Sequence, residues 1–308
     1  MTSGPPSRSG GHDLASGPEI VAYYDKAMRR FLATGRVRFL PMCEYRGGGE
    51  AVSVVDPAHR YAITARRRVV DGSYLEASVP ATHLPRYDVG DDVDLIPPNQ
   101  LTRITKDHDE YVVVGAGKTG IDAVLFLLDN GVPAARITWI TPNDSWLWDR
   151  ATVPAGGALG TFRVMLECIV KAPDIETAFL AMERQGIVLR LDPGRMPTKW
   201  RCATVERSEA AQLQQVDNVV RLGRVRKIVG GRVELDDGSI DIAANSLVVD
   251  CSANGLTSRP VKPIFSDGAV TASGPPPSQG LTRLAEVARS VVTAAAPQDG
   301  IGSAELAS

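Results

Sequence analysis

Three glycines with the spacing GxGxxG lie in the stretch "VVVGAGKTG", residues 112–120. In this pattern the first glycine permits a tight turn, the second lets a pyrophosphate approach the backbone, and the third lets a helix pack closely on a strand. Free N–H groups and the dipole at the start of that helix favour a diphosphate. The spacing therefore predicts a dinucleotide site formed by Gly115, Ala116, Gly117, Lys118, Thr119 and Gly120.

The same stretch also contains Gly117-Lys118-Thr119, the ending of a mononucleotide-binding P-loop. The P-loop pattern GxxxxGK[ST] requires a second glycine five positions earlier, and that position holds Val112. The P-loop interpretation is therefore disfavoured. Lys118, through its charge, and Thr119, through its hydroxyl, are candidates for phosphate contacts, or equally for solvated residues at the start of a helix.

The choice between NAD(H) and NADP(H) depends on the residues that follow the next strand. An NAD site usually carries an acidic residue about 20 positions beyond the glycines, where it holds the ribose hydroxyls. Counting from Gly120 places no carboxylate there, although Asn143 and Asp144 come directly after. Asp144 is a candidate for the ribose, whereas Asn143 or Arg150 is a candidate for a 2′-phosphate. The pattern slightly favours NADP(H).

The flanking sequence predicts the elements that position these glycines. Tyr111 to Val114 form a β-branched and aromatic run, typical of a strand buried on both faces. The segment "TGIDAVLFLLDNG" places its apolar residues on one helical stripe and ends at Gly131, a C-cap residue. A second strand, "ARITWIT", follows. The order is strand, glycine turn, helix, strand.

Two tryptophans, Trp146 and Trp148, lie just past the second of these strands. Ligands of open α/β sheets bind at the carboxyl ends of the strands, so these rings are candidates for a pocket wall. The alternative is that they belong to the core, where large aromatic side chains bury the most surface. Further along, "VVRLGRVRKIVGGRVELDDGSIDI" predicts strands joined by hairpin turns at "GG" and "DG".

Two segments share a Val-Val-Asp ending followed by small residues: "RRVVDGSY", with Asp71, and "SLVVDCSANG", with Asp250. Each predicts a strand that ends at its aspartate. The first strand either presents Asp71 and the Gly72 N–H to a ligand or is an ordinary strand followed by a turn, and the spacing alone favours the second alternative. Near the start of the chain, Ser16 and Glu19 have the spacing of a capping box. They predict a surface helix whose apolar stripe lies on a sheet.

Composition excludes several classes of function. The chain has 308 residues, 44% of them hydrophobic, which suffices for two domains. Its net charge of −2 gives no sign of a nucleic-acid or acidic-membrane partner. The four cysteines and four histidines are isolated, which predicts reduced thiols, a cytoplasmic protein and no zinc site. No apolar run approaches the ~20 residues of a membrane span, and no signal-peptide core is seen.

Taken in order, these motifs carry a family resemblance. Together with "GPEIVAYYDKAMRRFLATGRVRFLP" and "ITWITPNDSWLWDR", they cover the chain from about Ser16 to Pro263. Over this span the chain resembles the flavin-dependent oxidoreductases with two dinucleotide-binding domains, especially the flavin-containing monooxygenase-like group. The resemblance implies an NADPH domain that carries the three glycines, and an FAD domain in which Asp71 ends one strand and Asp250 another near the flavin.

The fold class expected from this resemblance is α/β, with a Rossmann-like NAD(P)-binding domain inserted into an incomplete FAD-binding domain. In that family the FAD domain opens with its own strand and GxGxxG, and residues 1–15 contain neither. The expected divisions are a disordered tail (1–15), a partial FAD domain (16–95), the NAD(P) domain (96–235), a return to the FAD domain (236–272) and a low-complexity tail (273–308).

The expected function is that of an NAD(P)H-dependent, monooxygenase-like flavin oxidoreductase, which passes hydride from NADPH to FAD with possible oxygenation of a small-molecule substrate. The cofactors are NADP(H) or NAD(H), with FAD implied by the resemblance alone. The missing motif leaves three alternatives open. The chain is a truncated oxidoreductase, one subunit of a split enzyme with a complementing flavin-binding subunit, or a non-catalytic NAD(P)-binding module. A homo-oligomer is also compatible with the sequence.

Overall fold

The computed structural model describes residues 15–74, 77–153, 158–253, 255–256, 260, 262–266 and 268–271. The tails predicted at 1–15 and 273–308 lie outside these residues, except for Ala15. The described chain has a mixed α/β fold with parallel and antiparallel sheets. It forms two compact units, the first within 15–74 and 262–271, the second within 77–260.

The first unit opens with helix α1 (Gly17–Ala33), which begins where the capping box predicts. The Ser16 hydroxyl accepts from the N–H of Glu19, and the Glu19 carboxylate accepts from the N–H of Ser16 at 2.7 Å. No residue of α1 is buried, and Phe31 is 55% exposed. The prediction that its apolar stripe lies on a sheet is therefore wrong for the described structure. Capping is a local interaction that fixes where a helix begins, but it does not supply a packing partner.

A small antiparallel sheet follows, with strand order β1-β2-β3. The turn between its first two strands is formed by three consecutive glycines, Gly47 to Gly49, and all three have positive φ. Glycine is the residue that adopts this conformation at little cost. Strand β4 ends at the aspartate that the sequence singles out. The strands are β1 (Cys43–Gly47), β2 (Glu50–Ser53), β3 (Arg60–Ala62) and β4 (Val69–Asp71).

The second unit contains the remaining α-helices and most of the strands of the described chain. Short 3-10 turns connect some of them, at Pro80–Thr82, Pro98–Arg103, Ala134–Arg136 and Arg150–Thr152. The helices are α2 (Lys118–Asp129), α3 (Ala158–Lys171), α4 (Ile175–Arg184) and α5 (Arg207–Leu213). The strands are β5 (Ala77–Ser78), β6 (Asp88–Val89), β7 (Asp94–Ile96), β8 (Glu110–Val114), β9 (Ile137–Ile140), β10 (Ser145–Asp149), β11 (Val188–Leu189), β12 (Lys199–Val205), β13 (Val219–Val220), β14 (Val225–Val229), β15 (Arg232–Leu235), β16 (Gly238–Asp241), β17 (Ser246–Asp250) and β18 (Gly255–Leu256).

A five-stranded parallel sheet is the centre of this unit, in the order β13-β9-β8-β17-β7. The predicted sequence of strand, glycine turn, helix and strand is confirmed as β8, α2 and β9. Strand β17 pairs with β8 along its whole length. The sheet thus extends past both ends of the expected 96–235 domain, because β7 and β17 complete it. A buried apolar strand carries no sequence signal of which sheet it will join.

Alternate residues of β8 face opposite layers. Val113 packs with Val124 of α2 in a cluster that also includes Leu213 of α5. Val112 faces the other side, where it packs with Ile228 and Val233 of the strands β14 and β15. Full burial of each such side chain contributes roughly 1.5–3 kcal/mol. Both faces of β8 are covered, so the strand and the loop at its end are held from two sides.

An antiparallel meander, β16-β15-β14, covers one face, with β6 added in parallel to β14. Its turns fall at the predicted "GG" and "DG" positions, and Gly230 and Gly231 both have positive φ there. These predicted hairpins are confirmed. In a separate sheet, β11-β10-β12, the two tryptophans of β10 are buried against α3 and α4. Trp146 stacks on Phe179 with ring centroids 5.2 Å apart, so the core interpretation holds for it.

The last two strands of the described residues are β19 (Phe265–Ser266) and β20 (Ala269–Thr271), which belong to the first unit. Strand β20 pairs in parallel with β4, in the order β19-β20-β4. Within the second unit, β18 pairs with β5 in antiparallel orientation. Among the helices of the described residues, none combines the length and apolar character needed to cross a membrane.

The close packing of α2 on β8 makes a testable prediction at Gly120. A Cβ there would lie 2.0 Å from the carbonyl oxygen of Gly115, so Gly120→Ala forces the helix away from the strand. We expect the free energy of unfolding in urea to fall by about 1–3 kcal/mol. The matched control is Gly160→Ala in α3, where a Cβ meets no described atom within 4 Å. This control substitution should leave the free energy of unfolding unchanged or raise it. Equal stability of the two variants would contradict the packing.

Candidate functional site

The glycine loop leaves the carboxyl end of β8 and is held by both neighbouring strands. The N–H of Gly115 donates to the carbonyl of Ile140 at 3.0 Å, and the indole of Trp139 donates to the carbonyl of Gly115 at 2.9 Å. On the other side, a Cβ on Gly115 would lie 2.7 Å from the carbonyl oxygen of Cys251. Its φ of +122° also favours glycine. The loop is therefore fixed between β9 and β17.

The three glycines differ in what surrounds them. Gly115 and Gly120 face protein backbone, so the fold itself requires their lack of a side chain. Gly117 does not: a Cβ there meets no described atom within 4 Å, and its φ of −81° suits any residue. The space over Gly117 is open. Three roles are predicted for these glycines. The tight turn at Gly115 and the close packing at Gly120 are internal to the fold, whereas the close approach of a pyrophosphate at Gly117 concerns a ligand.

Helix α2 begins at this open space with Gly117 as its N-cap, without a side-chain cap and without an acidic residue in its first turn. The N–H groups of a first turn have no acceptor within the helix. The side chain of Lys118 forms an ion pair with Asp122 one turn further on, and Thr119 is exposed. The backbone N–H groups, rather than Lys118, are therefore the donors available to an anion.

A cleft lies beside the loop, at the carboxyl end of β9. Two of its hydroxyls, Thr141 Oγ1 and Ser145 Oγ, are buried and have no hydrogen-bond partner among the described residues. Ser252, just past β17 on the other side of the loop, has a hydroxyl that is also buried and without a hydrogen-bond partner among the described residues. Buried polar atoms usually have a partner, which is either an ordered water or a bound molecule. The cleft is lined by Ala116, Ile121, Trp139, Thr141, Asn143, Asp144, Ser145, Leu147, Arg190, Leu191, Asp192 and Pro197.

The charged residues of this cleft are already paired. Asp144 accepts from Arg221 at 3.1 Å, and Arg221 also reaches Asp192 at 3.4 Å. Arg190 makes a bidentate pair with Glu183, at 2.9 and 2.8 Å. Since two carboxylates share Arg221, and Arg190 is neutralised by Glu183, the cleft offers no unpaired cation among its described residues. Asn143 and Asp144 line this cleft together with Ala116 of the glycine loop.

Arg150, the other candidate for a 2′-phosphate, does not line the cleft. Its guanidinium lies 3.1 Å from Glu209 and 3.5 Å from Glu206, and its side chain is 14% exposed. Burial raises the pKa of Glu209, but its hydrogen bonds from the Glu206 N–H and from Arg150 outweigh burial, so the pKa is lowered overall. Arg150 therefore belongs to an ion-pair cluster within the fold.

The two aspartates that end Val-Val-Asp strands lie in different units. Asp250, 2% exposed, ends β17 beside Val114 of β8, and its carboxylate accepts from the N–H of Ser252 at 3.0 Å. Burial, and next the nearby Asp250 carboxylate, raise the pKa of the Tyr87 phenol. Asp71 ends β4 in the first unit, where its carboxylate accepts from the N–H of Ser73 at 2.9 Å.

The two aspartates thus fall in different compact units, because identical strand endings do not encode which strands will pair. The residues that the sequence interpretation missed are the hydroxyls of Thr141, Ser145 and Ser252. For Thr141 the sequence does carry a signal, because this residue directly follows the second strand, at the position where an NAD site usually has a carboxylate. A hydroxyl can be recognised as a candidate site group only when the structure shows that it is buried without a hydrogen-bond partner.

Comparison with known proteins gives relatives but no family assignment. No family model matches the chain. It is 40% identical over 266 residues to Uncharacterized protein Rv2000 of Mycobacterium tuberculosis, and equally to Uncharacterized protein Mb2023 of Mycobacterium bovis. The match covers 84% of this chain and 49% of each relative, so the chain spans about half the length of the curated relatives it matches. Among solved structures, L-lysine 6-monooxygenase from Pseudomonas syringae is 11% identical, with a TM-score of 0.34 over 78% of this chain and 64% of that one.

The unpartnered hydroxyl of Thr141 makes a prediction about stability. Thr141→Val removes a buried polar atom that has no partner, so we expect the free energy of unfolding to rise by about 1 kcal/mol. The control is the same substitution at Thr138 of β9, whose hydroxyl bonds to Glu110 and Asn218. Thr138→Val should lower the free energy of unfolding by about 1–3 kcal/mol. Urea unfolding of both variants measures the difference, and a loss of stability in both would contradict the assignment.

Proposed function

We propose that the second unit binds a nicotinamide dinucleotide across the carboxyl ends of β8, β9 and β17. The observation that carries the proposal is the contrast between the glycines: the fold explains Gly115 and Gly120, and a ligand at van der Waals distance explains Gly117. In open parallel sheets, ligands usually bind at the carboxyl ends of the strands, at the point where neighbouring strands connect to opposite sides of the sheet.

The described residues suggest how the ligand lies. The pyrophosphate occupies the open space over Gly117, where the first N–H groups of α2 donate to its oxygens. The adenosine ribose lies against the cleft beside β9, near the amide of Asn143. The cleft itself has room for a water but not for the sugar, so the buried hydroxyls of Thr141 and Ser145 reach the ligand through an ordered water. The nicotinamide half extends toward β17, past Ser252.

The charge of the cleft favours NAD(H) over NADP(H). A 2′-phosphate brings close to two negative charges, and it would face the carboxylates of Asp144 and Asp192. Their shared partner Arg221 is already engaged, and Arg150 lies elsewhere. A ribose hydroxyl, in contrast, donates to a carboxylate at little cost. This inference departs from the slight preference for NADP(H) that the sequence alone suggests.

The proposed activity is that of an oxidoreductase of the flavin-dependent type, as the sequence resemblance implies. A bound nicotinamide nucleotide supplies hydride transfer as its chemistry. The residues of this chain bind and orient the nucleotide through backbone N–H groups and hydroxyls. The apolar residues on both faces of the sheet keep the carboxyl ends of β8 and β9 in fixed register. No side chain of the glycine loop is assigned a proton-transfer role.

The binding site is tested at Gly117. Because a Cβ there is tolerated by the fold, Gly117→Val should leave the urea midpoint close to that of the parent chain. The side chain should nevertheless occupy the space of the pyrophosphate and weaken NADH binding at least tenfold, or about 1.4 kcal/mol, in a fluorescence titration.

Two comparisons sharpen this test. Gly160→Ala in α3 is the control that should keep the affinity of the parent chain. Titration of the parent with NADPH should give weaker binding than with NADH. Unchanged NADH affinity in Gly117→Val would refute the site, whereas equal affinity for the two nucleotides would refute only the role of the cleft carboxylates.

The flavin component needs its own measurement. The full chain is incubated with FAD, free cofactor is removed, and the visible absorption spectrum is recorded before and after NADH is added. A retained flavin band that NADH bleaches is the expected result for an oxidoreductase. A colourless protein that still binds NADH would contradict the flavin component for this polypeptide, and it would support a nucleotide-binding module or one part of a split enzyme.

A further inference from the structure

A second cleft lies at the opposite edge of the parallel sheet, at the amino ends of β7 and β17 and beside the segment that enters β8. Its volume is about 430 Å³. The walls include Asp94, Arg103, Lys106, His108 and Leu247. Since β8 has five residues at ~3.3 Å each, roughly 16 Å of strand separates this cleft from the glycine loop. It is therefore distinct from the proposed nucleotide site.

The imidazole of His108 is the buried polar group of this cleft. The residue is 2% exposed, and its Nδ1 has no hydrogen-bond partner among the described residues. Its Nε2 lies 3.9 Å from the carboxylate of Asp94, which is longer than a hydrogen bond. The ring packs edge-on against Tyr111, with centroids 5.7 Å apart. Because Nδ1 is itself screened from solvent, a small partner such as an ordered water suits it.

The backbone that carries this ring is fixed by a neighbouring arginine. Arg136 pairs with Asp107 at 2.9 Å and also donates to the carbonyls of His108 and Asp109. The carboxylate of Asp107 is therefore engaged away from the cleft. Asp94, half-exposed, is the acidic residue in the wall.

Two cations line the cleft together with this single carboxylate. Arg103 and Lys106 are exposed, and neither takes part in an ion pair within the described part of the chain. Most other arginines of the second unit are paired, including Arg136, Arg150, Arg190 and Arg221. Counting Arg103, Lys106 and Asp94, the wall carries one excess positive charge. The cleft thus combines the apolar side chain of Leu247 with two cations that have no ion-pair partner among the described residues.

We propose that this cleft binds the phosphate group of a small phosphorylated molecule. A guanidinium presents two parallel N–H donors to phosphate oxygens, and an ammonium adds a point charge. Arg103 and Lys106 supply these contacts, and the buried ring of His108 lines the same cleft. Phosphate suits the site better than a carboxylate because it offers more oxygens and more charge to the two cations. The site is independent of the proposed nucleotide binding.

The test is a titration of the full chain with inorganic phosphate at constant ionic strength, with sodium acetate as a parallel titrant. Binding is followed by calorimetry and by the ¹H–¹⁵N correlations of the four histidine rings. We expect saturable phosphate binding that shifts one imidazole, that of His108, and much weaker binding of acetate. The double variant Arg103→Gln, Lys106→Gln should weaken phosphate binding at least tenfold. Both residues are exposed, so the variant should fold.

A charge-matched control removes two cations elsewhere: Lys26→Gln, Arg30→Gln on the exposed surface of α1. It should bind phosphate as the parent does. NADH affinity should be unchanged in both double variants, which separates this site from the glycine loop. Absence of saturable phosphate binding, or equal weakening in the two double variants, would overturn the proposal. Equal binding of acetate and phosphate would overturn the choice of phosphate.

Discussion

The arrangement of the second unit depends on one close contact, in which the glycine loop lies against three backbone segments at once. The carbonyl of Gly115 is approached by Gly120 of α2 and by the indole of Trp139, while the Cα of Gly115 faces the carbonyl of Cys251. Any side chain at Gly115 or Gly120 would separate these segments. The first turn of α2 is therefore fixed relative to the ends of β9 and β17, and with it the direction of its free N–H groups.

The polar groups around the loop follow from the same constraint. Because the sheet is covered on both faces, its carboxyl edge is where backbone donors and buried hydroxyls remain open to a ligand. Thr141 and Ser252 follow the strands β9 and β17 that flank the loop, and Ser145 begins β10. Their hydroxyls cost stability while they lack a partner. If the proposed dinucleotide supplies partners, directly or through water, its binding would recover this cost at the same atoms.

Charge is distributed differently at the two edges of the sheet. At the carboxyl edge, the arginines near the cleft are neutralised by carboxylates, so the free backbone of α2 is the main positive feature. At the amino edge, Arg103 and Lys106 stand without ion-pair partners in the described chain, beside the buried ring of His108. The two proposed sites thus lie at opposite edges of one sheet and differ in character: one would rely on N–H groups and hydroxyls, and the other on cations.

The sequence by itself determined the local elements. The capping box placed the start of α1, the glycine spacing with its flanking apolar runs placed β8, α2 and β9, and the "GG" and "DG" turns placed the meander. These depend on interactions between residues close in the chain, which a local pattern encodes. Only the tertiary structure decided that β17 pairs with β8, that Asp71 and Asp250 belong to different units, and that Arg150 faces glutamates. Strand pairing and ion-pair partners join residues far apart in the chain, so the partner's identity and the burial of a hydroxyl appear only once the segments are packed together.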